Sequence, residues 1–231
     1  LVNEDFSYIV QRDGDEGPSD KRFAFLSDRE VDKCLLVLND PQHRAIFLLL
    51  AELGLSINEI LGNEEMGIRG LYVQDVRPEK LLLKVHYKVW GSEEKTMREV
   101  PLTPSCVIAL RDHLASGGNT FEDFGKIFDI SERMVRHFLS CLPDKAEIDM
   151  ETTQMVLRRT AIVRMLKAGV RPEEVRRRMG LIRKREEPIL YAAAFFVPDS
   201  QDFQRFMDDL ILRGMSLSQP LLATSGFSAN K

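Results

Sequence analysis

The sequence predicts a mainly α-helical domain with a small antiparallel β-sheet near its N-terminal third. Apolar residues recur at i, i+3 and i+4 in successive stretches, most of them opened by Ser, Thr or Asp. Three short stretches between Leu71 and Leu102 instead alternate apolar with polar residues, the period of a half-buried strand. With 44% apolar residues, a 231-residue chain can build one sizeable core with at most a small appendage.

Residues 1–20 hold Gly14, Gly17 and Pro18 among six acids and read as a linker or flexible arm. The domain proper is expected over 21–214, with a mobile tail over 215–231. Ser27 and Glu30 form a capping-box pattern that starts a helix with Val31, Cys34, Leu35 and Leu38 inward. Asp40-Pro41 starts the next helix, whose stripe is Ala45, Ile46, Leu49, Leu50 and Leu53, with Gly54 at its end. Strands are expected over 71–76, 81–90 and 95–102, with turns at Pro78-Glu79-Lys80 and Gly91-Ser92-Glu93. Thr103 caps a helix through Leu114, and 121–128 is irregular or a short helix. Ser131 caps a helix carrying Val135, Phe138, Leu139 and Leu142, and Asp129 to Arg133 also fits the turn of a helix-turn-helix. A last amphipathic helix is expected over Asp202 to Leu212.

The formal charge of −4 excludes a protein that coats nucleic acid indiscriminately, but the charge is unevenly placed. Arg158, Arg159, Arg164, Lys167, Arg171, Arg176, Arg177, Arg178, Arg183, Lys184 and Arg185 crowd into one stretch, opposed nearby by Glu173 and Glu174. Such a cluster either neutralises DNA phosphates or forms a solvated face paired with acids elsewhere, including the 1–20 arm. Cys34, Cys106 and Cys141 are odd in number and show no CxxC, as expected of a reduced, cytoplasmic protein. No signal peptide is visible, and the longest apolar run, Ala45 to Leu55, is broken by Glu52 and too short to span a bilayer. The chain opens on Leu1 and is read as part of something longer. His43, His86, His113 and His137 lie at no metal-ligand spacing, and there is no phosphate-binding glycine loop or nucleophile elbow. No metal and no cofactor is expected.

The stretch Thr152 to Tyr191 organises the rest. Leu157-Arg158-Arg159-Thr160 opens a helix with Ile162, Met165 and Leu166 on one face, and Gly169 stops it. Arg171-Pro172-Glu173-Glu174 starts another, with Pro and acids in its first turn, that ends at Gly180. This string resembles the C-terminal catalytic block of the tyrosine recombinase (phage integrase) family. That block has a His-x-x-Arg motif on a helix, an "AGV" turn, an "LGH" turn and then a nucleophilic tyrosine. Arg158 falls on the motif arginine, Ala168-Gly169-Val170 on "AGV" and Met179-Gly180-Leu181 on "LGH". Tyr191 lies 33 residues after Arg158, the expected distance.

Two earlier strings carry the same resemblance. Gly54-Leu55-Ser56-Ile57-Asn58-Glu59-Ile60-Leu61 is similar to the family's "GLRISEL", and Arg98-Glu99-Val100-Pro101-Leu102 to the end of its "KERxVPL". The resemblance implies the recombinase catalytic-domain fold from about Phe23 to Ala194. It also implies a phosphate-gripping site in which two arginines, two histidines, a lysine and a tyrosine act together. In this chain Ser56 stands for the first arginine, Met155 for the motif histidine and Leu181 for the histidine of "LGH", while Glu59 is kept. The catalytic lysine has no match in register, with Lys95 and Lys88 as stand-ins. Arg158 and Tyr191 are what remains, and the apolar Met155 and Leu181 are expected to close the former pocket with core packing.

Three readings follow from the resemblance. One is a catalytically silent domain of bacterial or phage-derived origin kept for DNA binding or regulatory assembly. Its DNA contacts would be Arg158, Arg159, Arg164, Arg176, Arg177, Arg183, Lys184 and Arg185, with a possible homo-oligomer contact through the C-terminal helix. The second is a working recombinase that joins DNA through Tyr191, with Arg44 or Arg159 replacing the missing guanidinium and Lys95 as acid. The third is a protein-interaction module without DNA contact.

Overall fold

The computed structural model describes residues 24–88 and 95–180, together with every side chain in them except those of Lys88 and Lys95. The helix α2 (Pro41–Ala51) is the axis of the core. Ala45 to Ala51 are buried in an unbroken run, as befits a helix covered on all sides. Asp40 caps it by accepting from the His43 amide at 3.0 Å, and Pro41 fills its first position. Around α2 pack α4 (Pro104–Ser116) and α7 (Gln154–Lys167), with the short α3 (Ile57–Leu61) following it in the chain, while α1 (Asp28–Val37) packs against α6 (Leu142–Ala146) in the same core.

The expected caps form. Ser27 and Glu30 make a reciprocal capping box at α1, and Thr103 accepts from the Cys106 amide at the start of α4. Val31 and Cys34 of α1 and Leu38 just after it are buried, whereas Leu35 is only partly so. Thr160 holds α7 to the chain entering α1. Its hydroxyl accepts from the Leu26 amide at 2.8 Å and donates to the Val156 carbonyl at 2.9 Å.

The sheet has three antiparallel strands in the order β1 (Val76–Arg77), β2 (Leu82–Lys88) and β3 (Lys95–Pro101). Its register pairs Leu83 with Val100 and Val85 with Arg98. Those four residues face the core, while Met97 and Glu99 face outward. The strand expected over 71–76 shrinks to two residues, preceded by a 3-10 turn at Val73–Asp75. The buried Asp75 causes this: its carboxylate accepts from the Tyr72 amide at 3.0 Å and from Arg69 at 2.5 Å, folding the backbone into a turn.

Two further expectations are corrected. The helix from Ser131 does not run through Leu142. It breaks into α5 (Glu132–Ser140) and α6 (Leu142–Ala146), because Pro143 cannot donate to a continuing ladder. Nor does Asp129 to Arg133 form a helix-turn-helix: α5 begins at Glu132, but the helix before it ends at Ser116 and residues 117–131 between them are irregular. Chain 121–128 takes the irregular option, pinned where Tyr72 bridges Lys126. The basic stretch forms α7 and α8 (Pro172–Met179), separated by Gly169 with φ +79° and closed by Gly180 with φ +62°. Among the described residues no helix is long and apolar enough to cross a membrane. The 1–20 arm, Gly91-Ser92-Glu93, the Asp202 to Leu212 helix and the 215–231 tail lie outside the described residues.

Candidate functional site

Ser56 and Arg158, far apart in sequence, meet at one carboxylate. Ser56 is the N-cap of α3, and its hydroxyl accepts from the Glu59 amide at 3.2 Å. The Glu59 side chain completes the capping box by accepting from the Ser56 amide at 2.8 Å. The same carboxylate lies 3.7 Å from Arg158 Nη1. Gln154, in the first turn of α7, ties the two helices by accepting from the Ile57 amide at 2.9 Å.

A second guanidinium arrives from the sheet. Arg98 Nη1 donates to Glu59 Oε1 at 2.6 Å, and both side chains are less than a tenth exposed. The two arginines also share the end of α8. Arg98 Nε donates to the Arg178 carbonyl at 2.8 Å, and Arg158 Nη2 to the neighbouring Met179 carbonyl at 3.2 Å. Those carbonyls form the negative end of the helix, where cations are favoured. Gly180 is needed there twice over: its φ is +62°, and a Cβ on it would lie 2.7 Å from Arg98 Nη1. Burial pushes the Glu59 carboxyl up, but Arg98, then Arg158 and the Ser56 amide, outweigh it and hold the group below the usual carboxylate range. The arrangement is an arginine–carboxylate–arginine cluster carrying one net positive charge.

Met155 sits on α7 three residues before Arg158 and is 55% exposed. The expectation that it closes the pocket with core packing is therefore wrong. It lies on the solvent face of the first turn, while Val156 and Leu157 take the buried face. Of the other predicted residues, Lys95 begins β3, but its side chain is not among those described. Leu181, Arg183, Lys184, Arg185 and Tyr191 lie outside the described residues. Arg44, weighed as a replacement guanidinium, is spent elsewhere, donating to the Leu35 carbonyl at 2.7 Å. Arg159 is half-buried, and burial lowers its pKa.

Much of the basic cluster is matched to nearby acids. Arg164 lies 3.0 Å from Asp28 and 3.9 Å from Glu52. Glu174 accepts from Arg177 Nε and from Arg178 Nε, each at 2.7 Å. Hydrogen bonds from Arg177 and Arg178 lower the Glu174 carboxyl to about 2 against a smaller opposing effect of burial. Lys167, Arg171 and Arg177 nevertheless remain exposed along this side of α7 and α8, and Arg176 is half-buried. Among the described residues no group of three or more His, Cys, Asp or Glu side chains could hold a metal ion.

Arg98 is the member of this cluster that sequence reasoning missed. The signal was present: in a strand whose inward positions are apolar, an inward arginine requires a buried anion. Glu59, between Ile57 and Ile60 on the buried side of α3, was the matching half.

No family model matches the chain, and no curated protein matches it either. Solved structures do. A XerA recombinase is 20% identical with a TM-score of 0.58, the match covering 84% of this chain and 66% of that one. The Tn1549 transposon integrase, in complex with transposon right end DNA, is 17% identical with a TM-score of 0.56, covering 84% and 68%. The catalytic domain of bacteriophage HP1 integrase is 18% identical with a TM-score of 0.52, covering 85% and 98%. The chain thus spans about two thirds of the first two proteins and nearly all of the isolated catalytic domain. With its helices around α2, its three-stranded sheet and these matches, this chain has the fold of the tyrosine recombinase (phage integrase) catalytic domain.

Proposed function

We propose that this domain is a catalytically silent recombinase-like module that binds DNA through its phosphates. The observation that carries the reading is the state of Ser56 and Met155. Where the family resemblance calls for a phosphate-holding arginine, the Ser56 hydroxyl is committed to capping α3. Where it calls for a proton-handling histidine, Met155 offers a thioether to solvent. Displacement at a DNA phosphate by a tyrosine hydroxyl requires a proton acceptor and donors for the charge that builds on the phosphoryl oxygens. Removing one such donor costs roughly 10²–10³ in rate, and groups that act as a unit fail together. Arg158 on its own supports binding better than chemistry.

Binding draws on the exposed cations of α7 and α8, Lys167, Arg171 and Arg177, and on Arg183, Lys184 and Arg185 beyond them in the sequence. The Tn1549 integrase structures with DNA supply the ligand class by analogy. A gel-shift titration at two salt concentrations, paired with a suicide-substrate assay, tests both halves. Duplex binding that weakens steeply with salt, with no covalent adduct at Tyr191, is the expected result. An adduct overturns the silence, and no shift at low salt overturns the DNA reading in favour of a protein-interaction module.

A further inference from the structure

We infer that Gln154 is a neutral phosphate contact of this site, its side-chain NH2 donating to a phosphodiester oxygen beside position 56. The inference rests on the reading of the domain as a binder of DNA phosphates and adds a residue that reading does not include. Gln154 opens α7 one helical turn before Arg158, so the two side chains leave the same face of the helix, and both reach α3. Its Oε1 accepts from the Ile57 amide at 2.9 Å. That places the carboxamide next to Ser56, where the family resemblance calls for a phosphate-holding arginine. A backbone N–H can meet only the oxygen of a carboxamide, so this one contact fixes which way the group is turned. Nε2 has no hydrogen-bond partner among the described residues and is open to solvent. The result is an oriented donor with both hydrogens unspent.

Tying α7 to α3 does not by itself call for a carboxamide. Glutamate has the same length and shape, and its carboxylate is the stronger acceptor for an amide. It also suits the first turn of a helix, at the positive end of the dipole. The neighbouring cluster of Arg98, Glu59 and Arg158 is net positive, which favours a carboxylate there as well. Glutamine forgoes all three advantages. What it supplies instead is an NH2 donor and no negative charge, the two properties that an anion arriving at position 56 requires. Because the group is neutral, its contact adds a hydrogen bond without releasing a counterion, so it contributes to affinity and not to the salt slope.

The test compares Gln154→Met, Gln154→Glu and Met155→Glu in urea unfolding and in duplex-DNA titrations over a range of salt. Methionine keeps the length but removes both ends of the amide. Its urea midpoint should fall, and its duplex affinity should drop about threefold to tenfold with the salt slope unchanged. Glutamate restores the acceptor for the Ile57 amide, so the midpoint should return to the wild-type value while the affinity stays at or below that of the methionine variant. Affinity that is unchanged in Gln154→Met, or that recovers together with stability in Gln154→Glu, makes Gln154 a structural tie and overturns the inference. Met155→Glu puts the same charge one residue along, about 100° round the helix. It should bind more tightly than Gln154→Glu, and an equal loss would mean that charge alone is being read, which also overturns it. If the wild-type chain binds no duplex, the functional reading fails and a second readout decides this one. The Gln154 NH2 signals, assigned by their absence from either variant, are followed by nitrogen-15 NMR of the wild-type chain as inorganic phosphate is added at constant ionic strength. They should shift in a saturable way while those of the exposed Gln74 do not, and no shift at Gln154 overturns the inference.

Discussion

Arg98 Nη1 and Glu59 Oε1 lie 2.6 Å apart, joining the inward face of β3 to the buried side of α3. With Arg158 behind the same carboxylate, this contact links the sheet, α3, α7 and the end of α8. Breaking a buried pair from one side leaves the other charge stranded, which costs far more than the intact pair contributes. Glu59→Gln should therefore lower unfolding stability by about 3 kcal/mol. Glu99→Gln is the control on the same strand: Glu99 meets Arg77 at 3.4 Å on the surface, and its loss should cost under about 0.5 kcal/mol. Urea midpoints for the two variants measure the contrast, and equal shifts would show that burial is not what makes the Glu59 contact matter.

Acid should weaken the domain through two carboxyls. Glu59 and Glu174 both have folded-state pKa values below the ordinary 4.5, Glu174 at about 2. A depressed folded pKa means that the unfolded chain takes up protons first as the pH falls. The stabilisation is thus complete above the unfolded value and drains away through the folded one, for Glu174 between about pH 5 and 2. Arg177, at Glu174, is 57% exposed, so screening limits that surface contribution to about 1 kcal/mol. Most of the acid sensitivity should come from Glu59. Wild type and Glu59→Gln, unfolded in urea at stepped pH, should differ strongly at pH 6 and draw together as the pH falls below the ordinary carboxylate range.

Gly180 adds a steric test. Alanine there must adopt a left-handed φ of +62° and place its methyl 2.7 Å from Arg98 Nη1. Backbone strain of about 1 kcal/mol is unavoidable, and displacement of the guanidinium adds to it. Alanine at Gly169 shares the positive φ, at +79°, but meets nothing within 4 Å. Thermal unfolding should place Gly180→Ala below Gly169→Ala, by the cost of disturbing Arg98.

How far the sequence reveals this molecule depends on whether a signal is local. The caps at Ser27, Asp40, Thr103 and Ser131 were legible because each satisfies amides within three residues of itself. The strand expected at 71–76 failed because Asp75 answers to Arg69, a side chain that the alternation of the strand pattern does not weigh. Met155 was misplaced because apolar character was taken for burial, although the helix turns it away from the core. Arg158 and Ser56 were singled out by motif spacing, whereas the inward place of Arg98 in its strand signals a buried anion without saying which, and Glu59, 39 residues away, is identified as that partner once strand and helix are packed.

Thr160 tests a buried hydroxyl that no site uses. It is fully buried, and its oxygen is the acceptor for the Leu26 amide at the entrance to α1. Thr160→Val keeps the shape and removes the acceptor, leaving a buried amide unsatisfied. The expected loss is about 2 kcal/mol, recovered largely by Thr160→Ser. Hydrogen exchange at the Leu26 amide locates the effect, which should speed up in the valine variant ahead of the core of α2.

Ser56 decides between a structural and a vestigial account of its position. As the N-cap of α3 its hydroxyl holds the Glu59 amide, so Ser56→Ala should cost about 1 kcal/mol. Ser56→Arg loses the same cap and should be similarly stable, since position 56 is only partly buried and a long side chain can leave along the surface. The two variants separate in DNA binding. A guanidinium beside Arg158 should tighten duplex binding and raise the salt slope by about 1, while alanine leaves both near wild type. No covalent adduct should form even with arginine at 56, because Met155 still supplies no proton acceptor. If Ser56→Arg leaves the slope unchanged, position 56 does not face the DNA phosphate, and the correspondence with the family's first arginine is one of sequence alone.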